Sequence, residues 1–442
     1  MKRPVALLVA TVLAAAGLTR ADAEGPSVLT AATATATAQA VLAPTELVSI
    51  VQKSSAISAD AQARVITAAQ TVGGGWSVVR GASIGLVAIV HGSAAIQQAP
   101  SGYQFPMSLT ALPLPTIAAL MGRGVAGVLA ADQAVMGAKS AAFVGASVGD
   151  VVDLVAADGT VHSFTIGMIA ADDVVGSELL MSTDEADTLG VTTNSSMIVW
   201  GFASHASILD ALTASGLTNR SDTRIRHSWD PPDPDSTLGL ADTKRLLGEF
   251  AYQPIANSDD VHITNDWAAQ FLPSGRQVLN PDIQVKARCN NVILADLQAA
   301  LAEVDADGLG NLINVANTNA VGGCYVPRFN RIAGDLGYLS RHTWGQAIDM
   351  NVSTNPQGGV PTMDCTIVRI FRKHNFAWGG NFLTPDGMHF EWVGQRRDQL
   401  QYPSQYCPNL PVGDTSTTTA EPGTAVGTSR AAMFTEDASV GG

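Results

Sequence analysis

The stretch Ser340-Arg341-His342-Thr343-Trp344-Gly345-Gln346-Ala347-Ile348-Asp349 decides how the C-terminal half of this chain folds. Its last residues alternate between apolar and other side chains, a pattern typical of a β-strand. Successive side chains of a strand point to opposite faces, so Ile348 and Met350 enter a core while Asp349 points into a cleft. Gly345 lets the backbone bend before the strand begins. The stretch therefore predicts a turn followed by a strand that presents a carboxylate.

A second stretch, Asp386-Gly387-Met388-His389-Phe390-Glu391-Trp392, follows about forty residues later. On a strand, His389 and Glu391 share one face and the aromatic residues share the other. If the two strands are neighbours, Asp349 and His389 reach one metal ion, and His342 on the turn completes the set. Two imidazoles and a carboxylate, with a fourth position left for water, are typical of catalytic zinc. The pattern predicts one mononuclear zinc site of the hydrolase type, with a nearby carboxylate as base.

The N-terminus has the pattern of an export signal. Lys2 and Arg3 precede an apolar run, and Ala21-Asp22-Ala23 is a cleavage site of the small-x-small type. The run is shorter than the roughly 20 apolar residues that a membrane span needs, and no later stretch is long enough. We therefore expect a signal peptide at 1–23 and a secreted, extracytoplasmic, cell-wall-associated mature chain without a membrane span.

The net charge of −14 is unevenly distributed along the 442 residues. Residues 26–240 carry 8 Lys and Arg against 17 Asp and Glu, whereas residues 241–410 carry 13 against 16. No basic stripe could neutralise phosphates, which argues against nucleic acid as a partner. The nearly neutral C-terminal half can approach an anionic cell wall without strong repulsion.

The length predicts two domains. We expect a small, separate α+β domain of unknown role at 46–215, with binding of an unknown extracytoplasmic partner as one hypothesis for that role. It includes a hairpin around Asp158-Gly159 and capped helices at 183–189 and 204–214. A Pro/Asp-rich linker is expected at 216–239, where Asp230-Pro231-Pro232-Asp233-Pro234-Asp235 favours an extended, solvated backbone.

The zinc domain is expected at 240–410. Apolar residues at helical spacing predict an amphipathic helix over 293–304, and Asp364 is a good cap for a second helix that ends near Asn375. The segment 411–442 contains few large apolar residues, which predicts a disordered tail.

All four cysteines lie in this C-terminal half, and an even number in an exported chain favours two disulfides. Three pairings are possible. We favour the two pairs that each bracket one half of the motif region, which are Cys289–Cys324 and Cys365–Cys407.

Three blocks together resemble the M15 group of zinc peptidases, which are D-alanyl-D-alanine carboxypeptidases and L-alanyl-D-glutamate endopeptidases of bacterial walls and phage endolysins. The blocks are Ser340-x-His342-x-x-Gly345-x-Ala347-x-Asp349, Trp378-Gly379-Gly380-Asn381 and Asp386-x-x-His389-Phe390-Glu391. The resemblance covers roughly residues 240–410. It implies a DD-peptidase/hedgehog-like α+β zinc domain with a central antiparallel sheet.

The resemblance also implies roles for individual residues. Zinc would be bound by His342, Asp349 and His389, one ion per domain. Asp386 would be the general base, in a position where many members of the group carry Glu and the endopeptidase-like branch often carries Asp. Arg328, rather than Arg331, would polarise the substrate carbonyl. Two further residues, Ser340 and Glu391, are expected to support the ligands or contact the substrate, with Glu391 as the competing base.

These observations predict a secreted zinc peptidase that hydrolyses a D-residue-containing bond of the peptidoglycan stem peptide. The alternative is a non-catalytic peptidoglycan-binding module that retains the fold. Exopeptidase and endopeptidase activity both remain open, because a carboxypeptidase would need a cation for the terminal carboxylate, for which Arg331 or Arg341 would serve.

Overall fold

The computed structural model describes residues 46–53, 55–316, 320–411 and 433. The predicted signal peptide at 1–23 lies outside these residues, as does the predicted tail except for Pro411 and Met433. The side chain of Met433 is buried in an apolar cluster that includes Leu112 and Leu120. No helix among the described residues has both the length and the apolar composition to cross a membrane.

The N-terminal part is built on one sheet with helices around it. Its strands in the described residues are β1 (Leu47–Gln52), β2 (Gly75–His91), β3 (Ala94–Gln98), β4 (Phe105–Leu112), β5 (Gln133–Gly137), β6 (Val151–Val155), β7 (Val161–Ala170), β8 (Leu179–Ser182), β9 (Ser196–Trp200) and β10 (Thr223–His227). Its helices are α1 (Ala59–Thr71), α2 (Leu114–Leu120), α3 (Arg123–Leu129), α4 (Ala138–Val144), α5 (Asp172–Val175), α6 (Thr183–Thr188) and α7 (His205–Ala214).

Six of these strands close into a ring in the order β2-β4-β8-β5-β7-β6, because β6 returns to pair with β2. Strand β2 is long enough to pair with β9 along its first residues and with β6 along its last. Alternate apolar side chains of the ring strands, such as Leu86, Leu109 and Leu154, fill its interior. This closure removes sheet edges, and it buries a core of its own.

Local predictions for the N-terminal part are confirmed. Strands β6 and β7 form the expected antiparallel hairpin, with Val155 opposite Val161 across the Asp158-Gly159 turn. Helices α6 and α7 begin after Ser182 and Ser204, and each serine accepts a hydrogen bond from a backbone N–H of the first turn. These caps satisfy donors that the helix itself leaves unpaired.

The predicted linker at 216–239 is wrong in two respects. First, β10 lies within it and pairs with β1, so the N-terminal sheet continues to His227. Second, Asp233 and Asp235 are buried rather than solvated. The cause is the presence of arginines: Asp233 lies 3.8 Å from the partly buried Arg226, and Asp235 pairs with the fully buried Arg372.

The C-terminal part contains the expected central antiparallel sheet. Its strands in the described residues are β11 (Tyr252–Pro254), β12 (Val261–Ile263), β13 (Gln277–Asn280), β14 (Val285–Ala287), β15 (Val321–Gly323), β16 (Ala347–Met350), β17 (Phe376–Trp378) and β18 (His389–Trp392). The central sheet has the order β15-β16-β18-β17, and every pairing in it is antiparallel. The two other sheets are the hairpins β11-β12 and β13-β14.

The helices of this part are α8 (Leu240–Leu247), α9 (Asn265–Phe271), α10 (Leu294–Ala306) and α11 (Cys365–Lys373), together with short 3₁₀ turns at Gly310–Leu312, Gly334–Leu336, Arg341–Trp344 and Gly379–Asn381. Helices α10 and α11 confirm the predicted amphipathic helix over 293–304 and the predicted second helix after Asp364. The cap of α11 is Asp364, whose carboxylate accepts from the backbone N–H of Thr366 at 2.7 Å. Leu297 of α10 and Phe371 of α11 pack in one core with Phe390 of β18.

A buried ion cluster joins the two parts. The ammonium of Lys244, on α8, lies 2.8 Å from Glu178 of the N-terminal part and 2.7 Å from Glu249. It also donates to the carbonyl of Pro106 at 2.9 Å. Opposite charges this close offset the desolvation of the ammonium, so the pKa of Lys244 is raised although burial alone would lower it.

Asp235 is the centre of a second buried network. Its carboxylate accepts two hydrogen bonds from Arg372, at 2.9 and 2.5 Å, and one from the backbone N–H of Trp378 at 3.1 Å. It also accepts from Asn381 Nδ2 at 2.8 Å. Asp235, which precedes α8 in the chain, thus fixes the Trp378-Gly379-Gly380-Asn381 segment.

We expect Asp235→Asn to lower the free energy of unfolding by about 3–5 kcal/mol, because the fully buried Arg372 then keeps its charge without a carboxylate. Chemical denaturation of the full chain, followed by tryptophan fluorescence, measures this loss. The matched control is Asp222→Asn, which removes an exposed ion pair with Arg220 and should leave the midpoint unchanged. An Asp235→Asn midpoint equal to that of the wild type would contradict the assigned role of the network.

Candidate metal centre

The register of β16 and β18 places the predicted ligands side by side. Asp349 is directly opposite His389, and Ala347 is directly opposite Glu391. Directly opposite residues of an antiparallel pair lie on the same face of the sheet. The predicted sharing of one face by Asp349, His389 and Glu391 is therefore confirmed.

His342 reaches the same face from the 3₁₀ turn Arg341–Trp344. The turn begins at Ser340, whose hydroxyl accepts from the backbone N–H of His342 at 3.3 Å, and it ends at Gly345 with φ of 63°. A Cβ at Gly345 would lie 2.9 Å from the backbone nitrogen of Asn290, so only glycine fits. Ser340 is completely buried, and it supports the turn rather than facing a cleft.

The three predicted ligands converge. One atom from each of His342, Asp349 and His389 lies within 4.8 Å of the others. The Oδ1 atom of Asp349 is 3.2 Å from His342 Nε2 and 3.2 Å from His389 Nδ1. Both imidazoles are buried, whereas the side chain of Asp349 is 16 % exposed, so the group is reached from the side of the carboxylate.

A carbonyl fixes the orientation of His342. Its Nδ1 lies 3.1 Å from the carbonyl oxygen of Cys324. A carbonyl can only accept, so Nδ1 carries the hydrogen and Nε2 presents its lone pair toward Asp349. Cys324 is itself held by a disulfide with Cys289, and a second disulfide joins Cys365 and Cys407. Both predicted pairings are confirmed.

The charges of the group favour a cation. Burial alone would raise the pKa of Asp349, but the two imidazoles hold the pKa well below its usual range. Burial alone would lower the pKa of His389, but hydrogen bonds to Asp349 and Glu391 raise it to about 10. A metal ion competes with that proton for the ring nitrogen. Two imidazole nitrogens and one carboxylate oxygen suit Zn²⁺ and other divalent transition metals.

Asp386 lies beside this group on the turn that enters β18. Its backbone N–H donates to the carbonyl of Gly379 at 2.8 Å, and a Cβ at Gly379 would lie 2.7 Å from the carbonyl oxygen of Asp386. Its Oδ2 accepts from Gln357 Nε2 at 3.2 Å, whereas the buried Oδ1 has no hydrogen-bond partner among the described residues. Burial, with the nearby charge of Asp349, raises the pKa of Asp386 to about 6.

Arg328 brings a positive charge to the same region. Its backbone is held by Thr343 and Ser340, and its guanidinium donates to the carbonyl of Phe329 at 3.0 Å. Burial and the charge of Arg331 lower its pKa, whereas Asp349 and Asp386 raise it. Arg328 is therefore close enough to both carboxylates to interact with them electrostatically.

The structure corrects the expectation for Arg341 as a possible holder of a substrate carboxylate. Its guanidinium lies 3.4 Å from Glu391, donates to the carbonyl of Leu238 at 2.7 Å, and contacts the hydroxyl of Thr243 at 3.3 Å. These contacts point it into the protein. Arg331 is exposed, and its predicted role as the cation for a terminal carboxylate stays a prediction.

Sequence reasoning missed Gln357 and the carbonyl of Cys324. Gln357 lies in the connection between β16 and α11, which has no periodic pattern, and its contact with Asp386 spans 29 residues. A backbone carbonyl leaves no signal in a sequence. The only sequence feature that points to this position is Cys324 itself, because its disulfide with Cys289 holds the backbone in place.

Residues 333–392 match a peptidase family described as D-alanyl-D-alanine carboxypeptidase, Peptidase_M15_4. The C-terminal region is M15-peptidase-like. The match contains the three ligands, Asp386 and Glu391, but it begins after Arg328. The N-terminal part of the chain lies outside the match, and no curated protein matches the chain.

The two disulfides of the M15-like region should have separable effects. They close loops of 35 and 42 residues, so the chain-entropy model gives each about 4 kcal/mol of stability. Only Cys289–Cys324 holds a contact of a predicted ligand. We expect the Cys289→Ser/Cys324→Ser variant to bind Zn²⁺ about 10-fold more weakly than the wild type, because the orientation of His342 is lost.

The matched control is the Cys365→Ser/Cys407→Ser variant, which should lose comparable stability while its metal affinity stays near that of the wild type. Competition with a chromophoric chelator measures the affinity, and chemical denaturation measures the stability. Equal metal affinities for the two variants would show that the disulfide does not support His342.

Proposed function

We propose that this protein is a secreted zinc peptidase that hydrolyses a D-residue-containing peptide bond of the peptidoglycan stem. The buried Oδ1 of Asp386 carries the proposal, because it has no hydrogen-bond partner among the described residues. The carboxylate of Asp386 also interacts electrostatically with all three converging ligands. A carboxylate with a raised pKa and an unused oxygen is suited to accept and return a proton. The match to a peptidase family supports the same reaction class.

In this proposal His342, Asp349 and His389 hold one Zn²⁺. When bound, zinc supplies a Lewis acid that polarises the scissile carbonyl and lowers the pKa of a water molecule to about 7. Asp386 accepts a proton on Oδ1 as water adds to the amide carbon, and it then donates that proton to the leaving nitrogen as the C–N bond breaks. Gln357 holds the other oxygen of Asp386 and so orients the carboxylate.

Arg328 stabilises the negative charge that develops on the carbonyl oxygen. A single well-placed donor of this kind contributes about 3–4 kcal/mol to transition-state stabilisation. Its guanidinium is buried, so less water screens its charge than on the surface.

Several observations support a location outside the cytoplasm and a cell-wall substrate. Two disulfides are typical of exported proteins, and the sequence pattern of 1–23 is that of a signal peptide. The matched family is described by an activity on D-alanyl-D-alanine. If the hydrolysed bond is the last one of the stem peptide, we propose that the exposed Arg331 binds the C-terminal carboxylate of that peptide.

We expect the full chain to bind one Zn²⁺, to lose activity with a chelator and to regain it when zinc is added. Replacing His342, Asp349 or His389 with Ala should reduce the zinc content after dialysis, measured by elemental analysis. The control is His374→Ala, since His374 pairs with Glu303 away from the ligands. Stoichiometric zinc in His389→Ala would overturn the ligand assignment.

Asp386→Asn nearly preserves volume but removes the proton acceptor. Zinc should stay bound while kcat falls by at least about 100-fold, whereas Glu391→Gln should act mainly on KM or metal affinity. The measurement is digestion of purified peptidoglycan and of the pentapeptide stem, with products identified by mass spectrometry, which also separates exopeptidase from endopeptidase cleavage. Asp60→Asn, an exposed change on α1, should leave activity unchanged.

Two outcomes would contradict this assignment. If Asp386→Asn keeps its kcat while zinc-loaded Glu391→Gln is inactive, the roles of the two carboxylates are reversed. If the zinc-loaded wild type binds peptidoglycan but releases no product, the protein is the non-catalytic binding module instead.

A further inference from the structure

His389 lies between two carboxylates. Its Nδ1 is 3.2 Å from Asp349 Oδ1, and its Nε2 is 3.4 Å from Glu391 Oε2. A metal-binding nitrogen must present its lone pair, so the neutral ring can carry a hydrogen only on the other nitrogen. If Nδ1 joins Asp349 on the metal, Nε2 donates its hydrogen to Glu391.

Glu391 is itself held inside the protein. Its side chain is 1 % exposed, and its Oε1 is 3.4 Å from Arg341 Nε and 3.3 Å from Gln346 Nε2. Its cross-strand neighbours on both sides are the small residues Ala347 and Ala377. They leave room on this face for a carboxylate and a guanidinium, and a buried carboxylate requires such a partner.

Arg341 connects the His389–Glu391 pair to the segment that precedes residues 333–392, the region that matches the peptidase family. It donates to the carbonyl of Leu238 and contacts the hydroxyl of Thr243. Thr243 is followed on α8 by Lys244, whose ammonium is buried against Glu178 of the N-terminal part. The guanidinium is thus anchored at its far side by a helix that is fixed to the N-terminal sheet.

We propose that Glu391 and Arg341 are positioning residues that set the ring orientation of His389 for metal binding, with Arg341 acting through Glu391. This rests on the metal site proposed above. Glu391 orients the ring by accepting from Nε2, and Arg341 holds Glu391 in place and balances its charge. A carboxylate behind a ligating histidine fixes the ring and increases its basicity as a ligand.

The test uses the full chain, stripped of metal and titrated with Zn²⁺ in competition with a chromophoric chelator. Glu391→Gln should weaken zinc binding about 10–100-fold and shift the visible d–d absorption of the Co²⁺-loaded protein. A residue that only supports the core would not move that spectrum. The matched control is Glu303→Gln, which removes a carboxylate from His374 at 2.7 Å and should leave both readouts unchanged.

A double-mutant cycle tests the action of Arg341 through Glu391. Arg341→Gln alone should weaken zinc binding by a smaller factor, on the order of threefold to tenfold, because it lies one contact further from the ligand. In the Glu391→Gln background it should have no further effect. Arg341→Lys keeps a charge but cannot reach Glu391, Thr243 and the carbonyl of Leu238 together, so its zinc affinity should resemble that of Arg341→Gln. This variant provides the measurement if Glu391→Gln does not fold.

The outcomes are distinct. Zinc affinity within twofold of wild type in folded Glu391→Gln, or in folded Arg341→Lys, overturns the proposal. If Arg341→Gln and Glu391→Gln have additive effects on zinc affinity, Arg341 does not act through Glu391, and that part of the proposal is overturned. If the wild type itself binds no zinc, the proposed metal site fails and the positioning proposal fails with it, whereas normal wild-type binding with unaffected variants rejects the positioning proposal alone.

Discussion

The pairing of β16 with β18 is the constraint on which the candidate metal centre depends. Asp349 lies opposite His389 in this register, and a slip by one residue would turn either side chain to the other face of the sheet. The apolar residues of both strands oppose such a slip, because Ile348 and Phe390 are fully buried on the opposite face. The same core that stabilises the fold therefore fixes the spacing of the ligands.

Burial gives this site its chemical character. The carboxylates and imidazoles interact where little water screens them, so the pKa values of Asp349, Asp386 and His389 move far apart. The carboxylates of Asp349 and Asp386, which both interact with His389, thereby acquire different properties. Asp349 stays charged and suits a ligand, whereas Asp386 holds a proton more readily and suits proton transfer. The difference follows from their surroundings, because two imidazoles lie within hydrogen-bond distance of Asp349, whereas burial dominates at Asp386.

The sequence predicted those features that depend on nearby residues. Alternation over a few positions placed Asp349 and Glu391 on one face, and capping residues located α7 and α11. Contacts between segments that are distant in the sequence leave no comparable local pattern, so they were not predicted. Arg341 meets Leu238 across 103 residues, and the ring of six strands requires β2 to pair with partners far along the chain. The burial of the acidic, proline-rich segment was not predicted for the same reason, because Arg372, which pairs with Asp235, lies far from it in sequence.

The distance between Asp235 and Arg372 bears on the order in which the chain can fold. The two residues are 137 positions apart, so the segment around Asp235 is synthesised long before its partner and must remain hydrated until then. Contacts of large sequence separation form late, because the loop between them must first be closed. The C-terminal part therefore reaches its final packing only after α11 has been made. Until that step the acidic segment is a site that proteases and chaperones can reach.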